Sequence, residues 1–234
     1  MRRLPLVCAA LTAALSHAIV PAWTGPGSES LVKPIITTIR YADGGQQRNQ
    51  GAGFVVGTRF YTAFHNIQAA PQQVLTRRIV IGTVSVEPFA IDVEHDLAVF
   101  EVPPELCERW CNDLSIDMFQ PTDTAAVAWI RLDGDSQLWK QGQVTNVAFK
   151  APLATDTIGG CEDNLVVEVD EPFIPGSSGG PVFDATSGAI VGIIQGSFTT
   201  MNGRVSGYYK PLQCVASRLE MASLTDRATS ETGL

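Results

Sequence analysis

Histidine is scarce in this chain, with 3 in 234 residues, and basic side chains are outnumbered, 16 Lys and Arg against 24 Asp and Glu. The formal net charge of −8 excludes function classes that depend on attraction to phosphate, namely nucleic-acid binding and docking on anionic lipid. Long apolar runs are also missing. The longest, Leu4 to Leu15, is shorter than the roughly 20 residues a membrane-spanning helix needs. It follows Arg2 and Arg3 and precedes the small-residue group Ser16-His17-Ala18, so residues 1–18 read as a signal peptide cleaved before Ile19, with Ala22 as a second candidate site. Cys8 follows the bulky Val7 and does not make a lipoprotein site. No internal repeat occurs, and the polar residues 224–234 form a tail.

Removing the leader leaves 14 basic and 24 acidic residues, a net charge of −10, and four cysteines: Cys107, Cys111, Cys161 and Cys214. An even number in an exported chain points to two disulfides, with three possible pairings. The favoured pairing joins Cys107 to Cys111 across one short loop and Cys161 to Cys214 within the C-terminal half. A four-cysteine zinc site is the alternative, but two close-spaced ligand pairs are not present. No metal and no organic cofactor is implied.

What the chain has in quantity is short β-branched and aromatic runs separated by Gly, Pro, Asp and Asn. These are Ile35 to Tyr41, Phe54 to Val56, Ile79 to Val86, Ala125 to Ile130, Gln143 to Phe149, Leu165 to Val169, Ile190 to Gly196 and Tyr208 to Leu212. The pattern is all-β, and its length and 45% hydrophobic content suffice for one compact unit or two small barrels sharing an interface. Residues 215–223 have helical spacing.

Gly176-Ser177-Ser178-Gly179-Gly180-Pro181 describes a hydroxyl held on a bare, tightly turning backbone. A serine is a poor nucleophile at neutral pH; it needs a base and backbone N–H donors for the oxyanion. The scarcity of histidine shortens the search for the base. His17 lies in the leader and His95 adjoins Asp96, leaving His65 at the end of an apolar strand pair that turns at Gly57-Thr58. The orienting carboxylate is Asp96, which opens the strand Leu97 to Val102; Asp92 shares its face by strand parity and is the rival. A plain Gly/Ser loop with a surface histidine is the competing reading of each motif taken singly.

Taken together, Gly51-Ala52-Gly53-Phe54-Val55-Val56, Tyr61-Thr62-Ala63-Phe64-His65-Asn66, Asp96-Leu97-Ala98-Val99 and Pro175 to Val182 resemble the trypsin-like (chymotrypsin-fold) serine proteases, nearest the bacterial Deg/HtrA-type protease domain. The resemblance spans most of residues 33–215. It implies two six-stranded antiparallel β-barrels, about 33–103 and 124–214 within a protease domain of 19–223, with the active site in the cleft and a short closing helix at the C-terminus. It implies Ser178 as nucleophile, His65 as base, Asp96 as orienting acid, and the N–H groups of Gly176 and Ser178 as oxyanion hole. Pro172, six before the nucleophile, would floor the primary specificity pocket, while Gln195, Gly196 and Ser197 line its wall and pair with substrate backbone.

These residues carry no charge, so a small or medium apolar side chain before the scissile bond is expected; a shift of one or two residues would bring in Asp170 or Glu171 and reverse this. Ser177 stands where the digestive branch has an aspartate that pairs with a new N-terminus, which argues against activation by that salt bridge. About 20 residues follow Cys214, too few for the PDZ module of the Deg/HtrA proteases. The expected function is an exported, periplasmic or secreted endopeptidase acting on protein or peptide, without nucleic-acid partners or stable membrane insertion. A catalytically silent binding protein on the same fold is the alternative.

Overall fold

The computed structural model describes residues 31–114, 116, 126–133, 136–150, 165–199 and 203–212. The strands are β1 (Val32–Tyr41), β2 (Gln46–Val56), β3 (Arg59–Ala63), β4 (Val74–Ile81), β5 (Val84–Val86), β6 (Ala90–Asp92), β7 (Leu97–Glu101), β8 (Ala126–Asp133), β9 (Ser136–Lys150), β10 (Leu165–Val169), β11 (Pro181–Asp184), β12 (Ile190–Thr199) and β13 (Val205–Pro211). Every neighbouring pair is antiparallel. The C-terminal half closes into a six-stranded barrel in the order β10-β13-β12-β11-β8-β9, and the whole has the chymotrypsin-like two-barrel architecture.

The N-terminal half departs from six strands. It is a seven-stranded sheet, β5-β4-β1-β2-β3-β7-β6. Its edge strands β5 and β6 are consecutive in the chain, and residues 87–89 alone connect them. A linker that short spans at most about 14 Å, so the sheet has to curl until its edges nearly meet. The run Ile79 to Val86 read as one strand, but Gly82, at φ 61, breaks it into the β4–β5 hairpin. Pro34 in β1 donates no hydrogen bond, yet β4 pairs with β1 only from Ile35 onward, so Pro34 needs a partner on one side only.

Period-2 alternation divides the buried side chains into three cores. Ala98 and Phe100 of β7 join Ile35, Val55, Phe60, Ile79 and Ile81 inside the first sheet. Trp129, Val182 and Ile194 fill the second barrel with Val167, Val169, Phe173 and Tyr209. Leu97 and Val99, on the opposite face of β7, pack with Ala52 and Phe54 against Ile130, Phe183, Ile193 and Leu212, and so form the seam between the halves. Strands at the seam are thus apolar on both faces, which explains the unbroken burial of Gly51 through Val55.

The stretch between the halves, expected as a plain link from Pro103 to Asp123, contains a helix, α1 (Pro104–Trp110). Pro104 stands at the first helical position, where its missing N–H costs nothing, and Leu106 and Trp110, four apart, bury on the first core. Cys107 and Cys111 are joined, closing the last turn of this helix where a loop had been expected. The helix expected over 215–223, the leader, the tail and the Cys161–Cys214 pair lie outside the described residues. Among the described residues, no helix is long and apolar enough to cross a membrane.

Candidate active site

β3 delivers His65 to the seam. The strand ends at Ala63 and the chain makes one 3-10 turn, Phe64–Asn66, whose N–H groups are met by Asp96. Phe64 N–H donates to the Asp96 carbonyl at 3.0 Å, His65 N–H to Asp96 Oδ1 at 2.7 Å, and His65 Nδ1 lies 2.6 Å from Asp96 Oδ2. Both carboxylate oxygens therefore fix the imidazole. With Nδ1 on the carboxylate as donor, the lone pair is left on Nε2, the nitrogen a general base uses. The His65 side chain is 39% exposed.

Asp92, the rival carboxylate, is turned the other way. Its Oδ2 lies 2.6 Å from His95 Nδ1 and its Oδ1 accepts His95 N–H at 3.0 Å. Burial pushes the Asp92 carboxyl up, but the hydrogen bonds from the His95 ring and N–H, joined by the charges of His95 and Lys210, outweigh it and hold the group below its ordinary value.

Ser178 comes from the other half and is held against the first by its own carbonyl. That oxygen accepts Ala52 N–H at 2.9 Å and Asn66 Nδ2 at 2.8 Å, while Asn66 Nδ2 also reaches Thr62 Oγ1 at 3.0 Å and Thr62 Oγ1 donates to the Ala52 carbonyl at 2.6 Å. Gly179, at φ 86, lies so close to this junction that a Cβ would come within 2.3 Å of the Ala52 carbonyl oxygen. Gly179 N–H donates to Ile194 O and Ile194 N–H to Gly180 O, tying the turn to β12. The Ser178 hydroxyl donates to the Gln195 carbonyl at 3.1 Å. Gln195 can offer that carbonyl because it bulges from the β12–β13 ladder between the pairs Ile194↔Tyr209 and Gly196↔Tyr208.

The sequence profile of the trypsin-like peptidase domain matches residues 51–193, more than half the chain, a span that takes in His65, Asp96 and Ser178. The chain belongs to the trypsin-like peptidases. It is a serine endopeptidase by that membership. Among curated proteins, none matches the sequence. The fold is similar to that of the Rv3671c protease of M. tuberculosis in its active form, at 21% identity over 94% of this chain and 91% of that one, with a TM-score of 0.57. It is also similar to the MamO protease domain of Magnetospirillum magneticum (21% identity, 79% and 94% covered, TM-score 0.53) and to the HtrA-type protease AlgW (16%, 82% and 63%, 0.57).

In this peptidase the N–H groups of Gly176 and Ser178 donate to no acceptor among the described residues. Gly176 has φ 89, a conformation an L side chain adopts only with strain, which gives a reason for glycine there although the space beside it is open. The β12 segment Gln195 to Thr199 runs past the end of β11, whose last pair is Pro181↔Ile193, so it is laddered to β13 on one side and has no strand partner on the other among the described residues. Ser197 anchors the loop before Ser178 by donating to Phe173 O at 2.8 Å.

Pro172 is not gathered with these residues. It lines a cavity of about 310 Å³ with Trp129, Lys140, Gln141, Glu171 and Ile174, on which Gln195, Gly196 and Ser197 do not border. The reason lies next door: Phe173 turns into the barrel and packs edge-on against Trp129 at 4.9 Å, so the exposed Pro172 faces away from that core. Asp170 is occupied elsewhere, accepting Gln143 N–H at 2.7 Å.

Two residues that the sequence did not single out are Asn66 and Tyr208. The phenol of Tyr208 is pushed up by burial and then by the Asp96 charge, which places it on the β13 flank of the site. Nothing local marks either residue, since both act across the seam.

Proposed function

We propose that this peptidase cleaves peptide bonds through Ser178, His65 and Asp96 by way of an acyl-enzyme, and that it works outside the cytoplasm. His65 Nε2 takes the Ser178 proton as Oγ attacks the carbonyl carbon; the oxyanion forms against the N–H groups of Gly176 and Ser178. The C–N bond then breaks as the imidazolium returns its proton to the leaving amine, and water repeats the sequence to release the acid. Asp96 supports the imidazolium throughout. Before attack, the Ser178 hydroxyl exchanges its resting acceptor, the Gln195 carbonyl, for His65 Nε2, a movement between staggered rotamers.

The observation that carries the reading is the double contact of Asp96 with His65 beside a serine whose carbonyl is fastened to the same strands. The substrate is an extended peptide that adds a strand to the open edge of β12 at Gln195 to Thr199. Solved structures of AlgW hold a decapeptide and a tripeptide, in keeping with peptide recognition on this fold. Gln195, Gly196 and Ser197 carry no charge, which supports preference for a small or medium apolar side chain before the scissile bond.

The resting bond from Ser178 to Gln195 is the one observation that favours a catalytically silent binding protein. Labelling with a fluorophosphonate probe and mass mapping separates the two. Modification of Ser178, lost in Ser178→Ala, is the expected result; a folded protein that takes no label would sink the catalytic reading. Export is checked by N-terminal sequencing of the expressed protein, expected to begin at Ile19 or Ala22.

A further inference from the structure

We propose that His95 is a positioning residue, which with Asp92 holds Asp96 in the backbone conformation that aims both its carboxylate oxygens at His65. The inference rests on the reading of His65 and Asp96 as base and orienting acid. Among the described residues, Asp96 is the one non-glycine residue with positive φ, at 52°. Such a conformation is strained for a residue with a side chain and persists only where its surroundings impose it.

The surroundings that impose it are the four residues before it. His95 is tied to Asp92 through its backbone N–H and its ring, and Asp96 N–H reaches back to Val93 O at 3.3 Å, closing a tight turn between β6 and β7. His95 is 1% exposed and sits where a packing role alone would call for an apolar residue. Asp92 on β6 holds its ring, and Lys210 on β13 lies near enough for its charge to act on Asp92. The turn is thus fixed from inside by the hydrogen bonds between His95 and Asp92, and Asp96 emerges from it with Oδ1 on His65 N–H and Oδ2 on His65 Nδ1. Release of His95 from Asp92 lets residue 96 relax toward ordinary extended backbone and swings the carboxylate off the imidazole.

The test follows the rate of fluorophosphonate labelling of Ser178 against pH, with the melting temperature of each variant, for wild type, His95→Phe, His95→Asn and Asp92→Asn. His95→Phe keeps a planar ring without the donor and is expected to lower the plateau rate about 10- to 100-fold, the scale of an ångström-sized misplacement. The midpoint of the acid limb moves to lower pH, because a poorly aimed carboxylate supports the imidazolium less. His95→Asn, which places an amide donor near the Nδ1 position, restores the midpoint. A merely structural role would lower the melting temperature and the labelled fraction with the midpoint unmoved, and that result overturns the proposal. Should His95→Phe not fold, the isosteric Asp92→Asn is read the same way. If wild type itself takes no label on Ser178, the catalytic reading has failed instead, independently of His95.

Discussion

The 92–96 turn meets two histidines with the same chemistry and treats them differently. In each pair Oδ1 of the aspartate accepts the histidine N–H and Oδ2 lies 2.6 Å from Nδ1. His95 is 1% exposed and its partner lies three residues away in sequence; His65 is 39% exposed and its partner lies 31 residues away. The 176–181 turn repeats the contrast with Ser177, which is buried with a hydroxyl that has no hydrogen-bond partner among the described residues, and Ser178, which is partly exposed. Residue type and local geometry are therefore the same in the two aspartate–histidine pairs, and exposure separates them.

The contrast breaks most sharply at the exposed members. Ser178→Ala and His65→Ala are each expected to remove turnover by about a millionfold in kcat, because the members of such a unit fail together. Next comes Asp96→Asn, expected to cost about ten-thousandfold in kcat with the fold intact, since the amide no longer holds the imidazole in the useful tautomer. Steady-state kinetics on an unstructured protein substrate measure both.

Smaller effects sharpen the comparison through stability. Gly179→Ala forces a side chain into left-handed backbone at about 1–3 kcal/mol and drives its Cβ against the Ala52 carbonyl, so denaturant unfolding should show a loss of at least that size. Asp92 has a folded-state pKa below its unfolded value of 3.8, so its contribution is full above that value and disappears as pH falls through the lower folded one. Unfolding free energies across the acid range should therefore fall less steeply for Asp92→Asn than for wild type. The smallest effect is at Ser177→Ala. An unpaired buried hydroxyl is a cost, and removing it should shift stability by no more than about 1 kcal/mol, towards a more stable protein.

Much of this was readable before the fold was seen. The alternating runs became β1, β8, β9, β10, β12 and β13 with boundaries moved by a few residues, because one face of each packs on a core and the period-2 pattern records it. The split of Ile79 to Val86 was missed because Gly82 interrupts a run whose residues are strand-formers on either side. Helix α1 was missed because seven residues are too few to show a period. Strand parity left Asp92 and Asp96 as rivals; the turn between β6 and β7 is no strand, and its geometry sends the two carboxylates to different histidines.

By itself, the sequence determined the all-β class and the family, since these are recorded in local pattern and in short motifs. Only the tertiary structure decided that the first half is a curled seven-stranded sheet, that Asn66 fastens Ser178 to it, that the resting hydroxyl points to Gln195, and that Pro172 faces a separate cavity. Each of those depends on contacts between residues far apart in the chain, whose partners are chosen by how two packed cores meet and not by any neighbour along the strand.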